Sequence, residues 1–282
     1  MAHPASAAPA ATKTPARVIH STPPVALAEH AAGPLLSVII PCYNEQRTIL
    51  TILERVQAVP IVKEIIVVDD GSTDGTREIL AALVVDLPGV TVLFHEANQG
   101  KGAAVATGLA RAIGRVVMIQ DADLEYNPQE YGAVIAPILA GDAQVVYGSR
   151  NLQPNHYSYR LFYWGGRLVT LVTNLLYGSR LTDEATCYKA FALPVIQGLH
   201  LESAGFEFCP EVTAKVLRQG YAIREVPISY HARPREEGKK IRASDGLRAI
   251  WTLLKYRVAP RAVSGRVAIV RREAEIGAEA QV

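Results

Sequence analysis

The chain has 282 residues, of which 49% are hydrophobic, so it is long and apolar enough to bury a sizeable core. Lysine and arginine number 29 against 27 aspartate and glutamate residues, which gives a formal net charge of +2 at pH 7. A chain this close to neutrality has no global field that attracts nucleic acid, and we expect no nucleic-acid partner.

The two ends of the chain lack the periodic patterns of packed secondary structure. Residues 1–33 are rich in Ala, Pro, Ser and Thr, which predicts a disordered leader. Its longest apolar run, Val25 to Ala28, is too short for the core of a secretory signal. No segment has the roughly 20 apolar residues of a membrane-spanning helix, so we expect a protein that is not integral to a membrane. Residues 259–282 predict a loose tail, which leaves one folded domain over residues 34–258.

Between these ends, short β-branched runs alternate with segments that fit helices. Several of the runs are apolar on both faces, as in a sheet covered by helices on both sides. The alternation predicts an α/β fold built on a mostly parallel sheet. The predicted strands are Leu36 to Ile40, Glu64 to Val68, Val90 to Phe94, Val116 to Gln120 and Gln144 to Tyr147.

The first predicted helix follows the first strand. Ile49, Ile52, Leu53 and Val56 form its apolar stripe, and Asn44 is placed to cap its N-terminus. After the fifth strand the alternation ends. Residues 150–180 are rich in aromatic side chains and predict an irregular or helical segment beside a site.

An acidic segment follows the fourth predicted strand. Asp121, Asp123 and Glu125 alternate along the chain, and alternate residues of an extended chain point to one side about 6 to 7 Å apart. Carboxylates placed in this way can share a hard divalent cation, Mg²⁺ or Mn²⁺, that is completed by water and phosphate oxygens. An acidic turn in which Asp123 caps a helix starting near Pro128 is the structural alternative. The position at the end of a strand favours the metal site.

Two further polar segments lie where predicted strands end. Asp69 and Asp70 place two like charges together, and partners or the base and ribose of a nucleotide would compensate them. Ordinary turn chemistry explains these two residues as well. Gly100, Lys101 and Gly102 open a helical stretch where the backbone can approach a diphosphate while the ammonium supplies charge. The P-loop and GxGxxG spacings are absent, which argues against kinases and dehydrogenases.

Seven motifs follow one another along the chain. They are SVIIPCYNE (Ser37 to Glu45), IIVVDDGSTDGT (Ile65 to Thr76), NQGKGAA (Asn98 to Ala104), DADLE (Asp121 to Glu125), GSR (Gly148 to Arg150), TDEATCYKAF (Thr182 to Phe191) and VPISYHARPREEGKKI (Val226 to Ile241). In this order they resemble the family 2 glycosyltransferases of GT-A fold and, within them, the dolichyl-phosphate mannose synthase-like group. The resemblance covers roughly Leu36 to Val258 and implies a Rossmann-like mixed, mostly parallel sheet with helices on both faces.

The resemblance also implies roles for individual residues. Asp121, Asp123 and Glu125 are the expected metal ligands, although a Gln often stands at the position of Glu125 in the mannose synthase-like enzymes. Positions expected to contact donor and acceptor phosphates are Arg150, Arg233 and Lys239, for which solvated surface charge is the alternative. With Gly100 and Lys101 added from their own chemistry, the expected nucleotide-sugar site comprises Pro41, Tyr43, Glu45, Asp70, Gly100, Lys101 and Asp121.

The function implied is the inverting transfer of a hexose from a nucleotide diphosphate sugar, of GDP-mannose or UDP-glucose type, to a polyprenyl phosphate. The expected catalytic residues are Asp123, Asp183 and Arg150. A phosphate acceptor is already anionic and needs no general base. One alternative is a hydroxyl acceptor on a glycan or small molecule, with Asp183 or, second, Glu184 as base. Another is a non-catalytic sugar-nucleotide binding protein, against which the intact acidic segment argues.

The last periodic segment, residues 244–258, predicts an amphipathic helix. Its apolar stripe comprises Leu247, Ile250, Trp251, Leu254 and Val258, with basic residues beside or opposite it. Such a helix suits the headgroup boundary of an anionic membrane, and a helix packed on the domain fits the pattern equally well. The three cysteines form no CxxC pair, which predicts reduced thiols. We therefore expect a cytoplasmic protein that binds peripherally to the inner face of the cytoplasmic membrane.

Overall fold

The computed structural model describes residues 17–20, 33–83, 87–155, 160–233 and 243–260. Within them the chain forms eight strands and eight α-helices. In chain order these are β1 Arg17–His20, β2 Leu36–Cys42, α1 Ile49–Gln57, β3 Lys63–Asp69, α2 Thr76–Leu83, β4 Val90–Phe94, α3 Lys101–Leu109, β5 Val116–Ile119, α4 Tyr131–Leu139, β6 Val145–Ser149, α5 Arg160–Tyr177, β7 Lys189–Ala192, α6 Leu193–Gln197, α7 Phe208–Arg218, β8 Ile223–Pro227 and α8 Ala243–Val258, with a 3-10 turn at Pro128–Glu130 before α4.

All eight strands belong to one sheet, in the order β1-β4-β3-β2-β5-β7-β6-β8. The central pairs β3–β4, β2–β3 and β2–β5 are parallel, as is β6–β8. Strand β7 runs antiparallel to both of its neighbours, and β1 runs antiparallel to β4. Five successive residues of β2 and of β3 are buried, because helices cover both faces of the sheet. The predicted α/β fold with a mixed, mostly parallel sheet is confirmed.

The five predicted strands correspond to β2 through β6, and three further strands were not predicted. Strand β1 lies inside the predicted disordered leader, whose remaining residues up to 32 are outside the described part of the chain. Strand β7 begins with a charged residue that is fully buried. The Lys189 ammonium donates a hydrogen bond of 2.6 Å to the Glu184 carbonyl and lies 3.7 Å from the centre of the Tyr147 ring. Both contacts stabilise a charge that the sequence pattern alone would place at the surface.

The cap predicted for α1 is wrong. Residues 46–48 form a turn, and the residue that precedes the helix is Thr48, whose side chain makes no capping hydrogen bond. Asn44 instead adopts a left-handed backbone conformation with a φ of 51°. Its side-chain oxygen accepts a 2.8 Å hydrogen bond from the Thr73 N–H, which ties the loop after β2 to the loop after β3.

Helices α5, α7 and α8 form a second, smaller core beside the sheet. Its buried members are Val169, Ala214, Leu253 and Tyr256. The buried carboxylate of Glu211 on α7 accepts hydrogen bonds from the Lys215 ammonium, two backbone N–H groups and the Tyr256 hydroxyl. Burial opposes its ionisation, but these donors outweigh burial and lower the pKa of Glu211. The ionised carboxylate therefore joins α7 to α8.

The predicted helix over residues 244–258 is present as α8. Of the predicted apolar stripe, Leu247, Trp251, Leu254 and Val258 are exposed, whereas Ile250 packs against the small core. No helix in the described residues is both long and apolar enough to cross a bilayer. All three cysteines are free thiols, as predicted.

Candidate active site

The polar segments singled out in the sequence converge on one edge of the sheet. Strands β2, β3 and β5 run parallel, so their carboxyl ends lie side by side. Pro41 is the second-last residue of β2 and pairs with Val68 of β3. Tyr43 comes directly after β2, and its side chain is half-buried. Asp69 closes β3, and the Asp121 segment follows β5. This is the edge at which open α/β sheets bind their ligands.

The two adjacent carboxylates after β3 are both bound within the protein. Asp69 forms a 3.0 Å ion pair with Arg77. Asp70 is almost fully buried and accepts hydrogen bonds from the N–H groups of Gln99 (2.9 Å) and Gly100 (2.7 Å) and a 2.6 Å contact from His95. These contacts order the segment that enters α3, so Asp70 has a structural role in addition to the nucleotide contact predicted for it.

The two glycines around Lys101 make room for another segment of the protein. The N–H groups of Gly102 and Ala103 donate to the carbonyls of Gly205 (3.2 Å) and Ala204 (3.0 Å). A Cβ at Gly100 would lie 2.5 Å from the Ala204 oxygen, and a Cβ at Gly102 would overlap the Ser203 oxygen. The N-terminus of α3 is therefore already capped by residues 203–205. The prediction that these glycines expose backbone to a diphosphate is wrong.

Lys101 is turned towards the acidic segment. Its ammonium lies 2.5 Å from a carboxylate oxygen of Asp121 and 3.5 Å from the Cys187 sulfur. Burial opposes ionisation of Asp121, but the charge and hydrogen bond of Lys101 outweigh it and keep the pKa of Asp121 below its usual value. An ion pair therefore joins the start of α3 to the end of β5.

Asp123 carries the most strongly perturbed carboxyl in this acidic segment. Burial, together with the negative charges of Asp121 and Glu125, raises its pKa to about 7, although Arg233 acts in the opposite direction. The nearest guanidinium nitrogen of Arg233 is 3.6 Å from the carboxylate. The described side chains thus leave the negative charge around Asp123 incompletely compensated, as expected where a further cation binds.

The Glu125 carboxylate has hydrogen-bond partners within the protein, unlike the shared metal ligand that the sequence predicts. The extended geometry predicted for this segment is wrong, because residues 122–123 form a turn and Leu124 has a φ of 60°. The Glu125 carboxylate accepts hydrogen bonds from the Tyr230 hydroxyl (2.6 Å) and the Arg233 N–H (3.0 Å). Across the described ranges, no three acidic, histidine or cysteine side chains are grouped as they would be around a metal ion.

Arg233 lies between three loops of the site. Its two terminal nitrogens each donate a 3.1 Å hydrogen bond to Glu45, which is buried after β2. The same guanidinium lies near Asp123, as given above. Arg233 was predicted to contact phosphate, and the structure places it beside the predicted nucleotide and metal residues. Lys239, predicted for the same task, lies outside the described residues.

Arg150 and Asp183 form a second charged centre after β6. The Asp183 carboxylate accepts three hydrogen bonds from Arg150: from the backbone N–H (3.0 Å), Nε (2.7 Å) and Nη2 (2.8 Å). Only 2% of the Asp183 side chain is exposed, against 17% for Arg150. Burial opposes the charge on Arg150, yet Asp183 outweighs burial and raises its pKa further. Asp183 thereby fixes the direction of the guanidinium.

Tyrosine rings connect the two charged centres, and the sequence analysis assigned no role to them. Tyr126 stacks on Tyr188 with 4.7 Å between ring centres and lies 5.4 Å from the Tyr230 ring. The Arg150 guanidinium lies 5.0 Å from the centre of the Tyr230 ring. Tyr188 also donates a hydrogen bond of 2.8 Å to Gln120 at the end of β5. These residues are far apart in the chain, so no local pattern predicts their contact.

A cavity of about 530 Å³ lies next to these tyrosines and is lined in part by Tyr126. It opens on the side of the acidic segment that faces α1. Its lining combines apolar, amide and basic groups from Arg55, Leu124, Tyr126, Asn127, Gln129 and His231.

Comparison with known proteins adds to this geometry. Residues 37–191 match the family model described as glycosyl transferase family 2. The chain belongs to glycosyl transferase family 2. The matched range includes the acidic segment, Arg150 and Asp183, and it ends in β7.

Curated relatives of the family extend the match beyond this range. The chain is 29% identical over 212 residues to an undecaprenyl-phosphate mannosyltransferase of Micrococcus luteus, covering 71% of this chain and 85% of the relative. It is 31% identical over 216 residues to a UDP-N-acetylglucosamine–dolichyl-phosphate N-acetylglucosaminyltransferase of Methanococcus voltae, covering 70% and 86%.

Among solved structures, a glucosyl-3-phosphoglycerate synthase of Mycobacterium tuberculosis shares the fold. That structure holds Mn²⁺, uridine diphosphate and glucosyl-3-phosphoglycerate. The match has a TM-score of 0.64 at 23% identity and covers 82% of each chain. At this identity the likeness concerns the fold alone.

Proposed function

We propose that this family 2 glycosyltransferase moves a hexose from a nucleotide diphosphate sugar to a polyprenyl phosphate, with inversion at the anomeric carbon. Residues 34–258 would form the catalytic domain. The relatives in Micrococcus and Methanococcus are both named for polyprenyl-phosphate acceptors, which supports this class of acceptor. The donor is of GDP-mannose or UDP-glucose type.

The observation that carries the proposal is that the buried Asp183 carboxylate is hydrogen-bonded to Arg150. A general base needs a carboxylate oxygen that can reach the proton of an acceptor hydroxyl. Both oxygens of Asp183 instead accept hydrogen bonds from Arg150, and the carboxylate is buried. An acceptor phosphate is already a nucleophilic anion, and a fixed guanidinium suits its recognition. The hydroxyl acceptor with Asp183 as base loses support.

A divalent cation, Mg²⁺ or Mn²⁺, fits the two aspartates after β5. Proteins hold Mg²⁺ through one or two carboxylates, with water and substrate phosphates as the other ligands. Asp121 and Asp123 supply two hard oxygen ligands, and burial together with neighbouring carboxylates raises the pKa of Asp123, as in sites where a bound cation offsets the negative charge. Glu125 is left out of this set because its carboxylate binds Tyr230 and Arg233. When bound, the ion would neutralise the departing nucleoside diphosphate.

The remaining roles follow from the positions of the side chains at the same edge. Pro41, Tyr43, Glu45 and Asp70 are proposed to hold the nucleotide. Lys101 and Arg233 lie against the acidic residues and would exchange these partners for the diphosphate oxygens of the donor. At the second charged centre, next to Tyr230, Arg150 is proposed to orient the acceptor phosphate, with Asp183 as its positioning residue.

The test is direct incubation of the protein with GDP-mannose, UDP-glucose or UDP-N-acetylglucosamine and a short-chain polyprenyl phosphate. Product is measured by mass spectrometry, with and without EDTA. The matched control replaces the polyprenyl phosphate by the polyprenol, which offers a hydroxyl on the same chain. The proposal expects a metal-dependent product from the phosphate and none from the alcohol. A product from the alcohol alone would contradict it.

A further inference from the structure

Exposed apolar side chains are concentrated on two helices. Of the thirteen large apolar side chains exposed in the described residues, eight lie on α5 and α8, so the distribution is far from even. Soluble proteins seldom expose a large apolar patch that has no binding partner. The eight residues, called here the helix-pair surface, are Trp164, Leu168, Leu171, Leu175, Leu247, Trp251, Leu254 and Val258.

The spacing makes each set a continuous stripe. In both helices the four residues follow the pattern i, i+4, i+7 and i+11, which keeps them on one helical face over about 16 Å of rise. The opposite faces pack together in the small core through Val169 and Leu253. The Tyr177 hydroxyl also donates a 2.6 Å hydrogen bond to the Leu253 carbonyl. The two helices that carry the stripes are therefore packed against each other.

Basic residues accompany the helix-pair surface. Arg167, Arg248, Lys255 and Arg257 are exposed on the two helices, whose described residues include one acid, Asp245. Arg248 and Lys255 each lie 3.7 Å from an exposed or half-exposed glutamate, and such surface pairs are weak. Cationic side chains around an apolar face complement anionic phosphate headgroups above acyl chains.

We propose that the helix-pair surface binds the face of a bilayer that contains anionic lipids. Tryptophan is favoured at the boundary between headgroups and acyl chains, and each helix exposes one, Trp164 at 62% and Trp251 at 69%. A second copy of the chain would bring two sets of cations against each other, which opposes a symmetric dimer on this face. The inference extends the earlier prediction for α8 alone to a two-helix surface.

The position of α5 connects this surface to the acceptor side of the site, a connection that rests on the proposed function. The Thr170 hydroxyl of α5 accepts a 3.0 Å hydrogen bond from the Glu184 N–H. The Asn174 side-chain amide donates a hydrogen bond of 2.8 Å to the Leu181 carbonyl. These contacts hold the segment that carries Asp183, the partner of Arg150. A lipid acceptor in the bound bilayer would thus lie on the side of Arg150.

The test is flotation of the full-length protein with vesicles of phosphatidylcholine alone and with about one third phosphatidylglycerol. The test variant is Leu175→Glu combined with Trp251→Glu, both of which change exposed side chains outside the catalytic site. Val62→Glu is the matched control, because Val62 is 63% exposed but precedes β3, away from both helices. The wild type and V62E are expected to float with anionic vesicles. The double variant should bind at least about tenfold more weakly.

Several results would overturn the proposal. They are a wild type that fails to float, a double variant that floats as the wild type does, and light scattering in which the substitutions convert a dimer to a monomer. The last result would assign the surface to a second copy. Transfer to a short-chain polyprenyl phosphate in solution is measured in parallel. Flotation without transfer would reject the proposed function alone, and transfer without flotation would reject the bilayer surface alone.

Discussion

Replacing Asp183 with Asn separates the two roles that this carboxylate can have. The substitution keeps the shape and one acceptor oxygen but removes the charge that faces Arg150. Both side chains are largely buried, with 2% and 17% exposed. Because breaking a buried ion pair leaves an uncompensated charge, we expect the free energy of unfolding to fall by about 3 kcal/mol. Denaturant unfolding at pH 7 measures this loss.

The effect on turnover depends on the acceptor. With a phosphate nucleophile no proton has to be removed, so kcat should fall by less than about tenfold, while KM for the acceptor rises because Arg150 is less firmly held. Loss of a general base would instead lower kcat by about 10² to 10⁴ with a smaller change in KM. The magnitudes are far enough apart to distinguish the roles.

The assay is steady-state transfer with the acceptor varied at saturating donor, alongside calorimetric binding of the donor. Arg150→Lys is the companion variant, because it keeps the charge but loses the bidentate geometry. D183N and R150K should raise the acceptor KM in the same direction and leave donor binding unchanged. A fall in kcat of more than 100-fold in D183N, with KM and donor binding intact, would refute the positioning role and restore the general base.

Three further outcomes are expected. Gly102→Ala should lower the melting temperature, because its Cβ overlaps a backbone oxygen and costs about 1 to 3 kcal/mol, whereas Gly132→Ala on α4 meets nothing within 4 Å and should be neutral or stabilising. Asp123→Asn should abolish EDTA-sensitive transfer and weaken Mn²⁺ binding measured by electron paramagnetic resonance, while circular dichroism stays that of the wild type. Glu211→Gln should destabilise the protein near neutral pH, and the difference in unfolding free energy should shrink as the pH falls through the lowered pKa of Glu211; a difference that stays constant down to pH 3 would contradict the assigned ionisation.

The parallel core of the fold was predictable from the sequence because its strands are apolar on both faces. Strand β8 was missed for the opposite reason. It lies at the sheet edge, its IREVP sequence places two adjacent charged residues after the first position, and none of its residues is fully buried. Strand β7 was missed because Lys189 interrupts its apolar run, and the compensation by Tyr147 and Glu184 comes from tertiary contacts.

For the site, the sequence predicted which loops meet but not how each side chain points. Asp70, Asp121 and Arg150 each come shortly after a strand that the sequence predicts, and this places them at the carboxyl edge of the sheet. The turn at residues 122–123 breaks the extended spacing, and Glu125 accepts hydrogen bonds from Tyr230 and Arg233; no periodic pattern encodes such a turn. The capping of α3 by residues 203–205 depends on a segment about 100 positions further along the chain. Predictions from spacing fail where a distant segment supplies the partner.

The contact between Arg233 and Glu45 links positions that are 188 residues apart in the chain. Both groups are buried, so either one left alone would be a desolvated charge. Substitutions at the two positions are therefore expected to be non-additive in a double-mutant cycle, and Asp123, next to the same guanidinium, should share the thermodynamic coupling. We therefore expect positions 45 and 233 to covary or to be retained together among related chains.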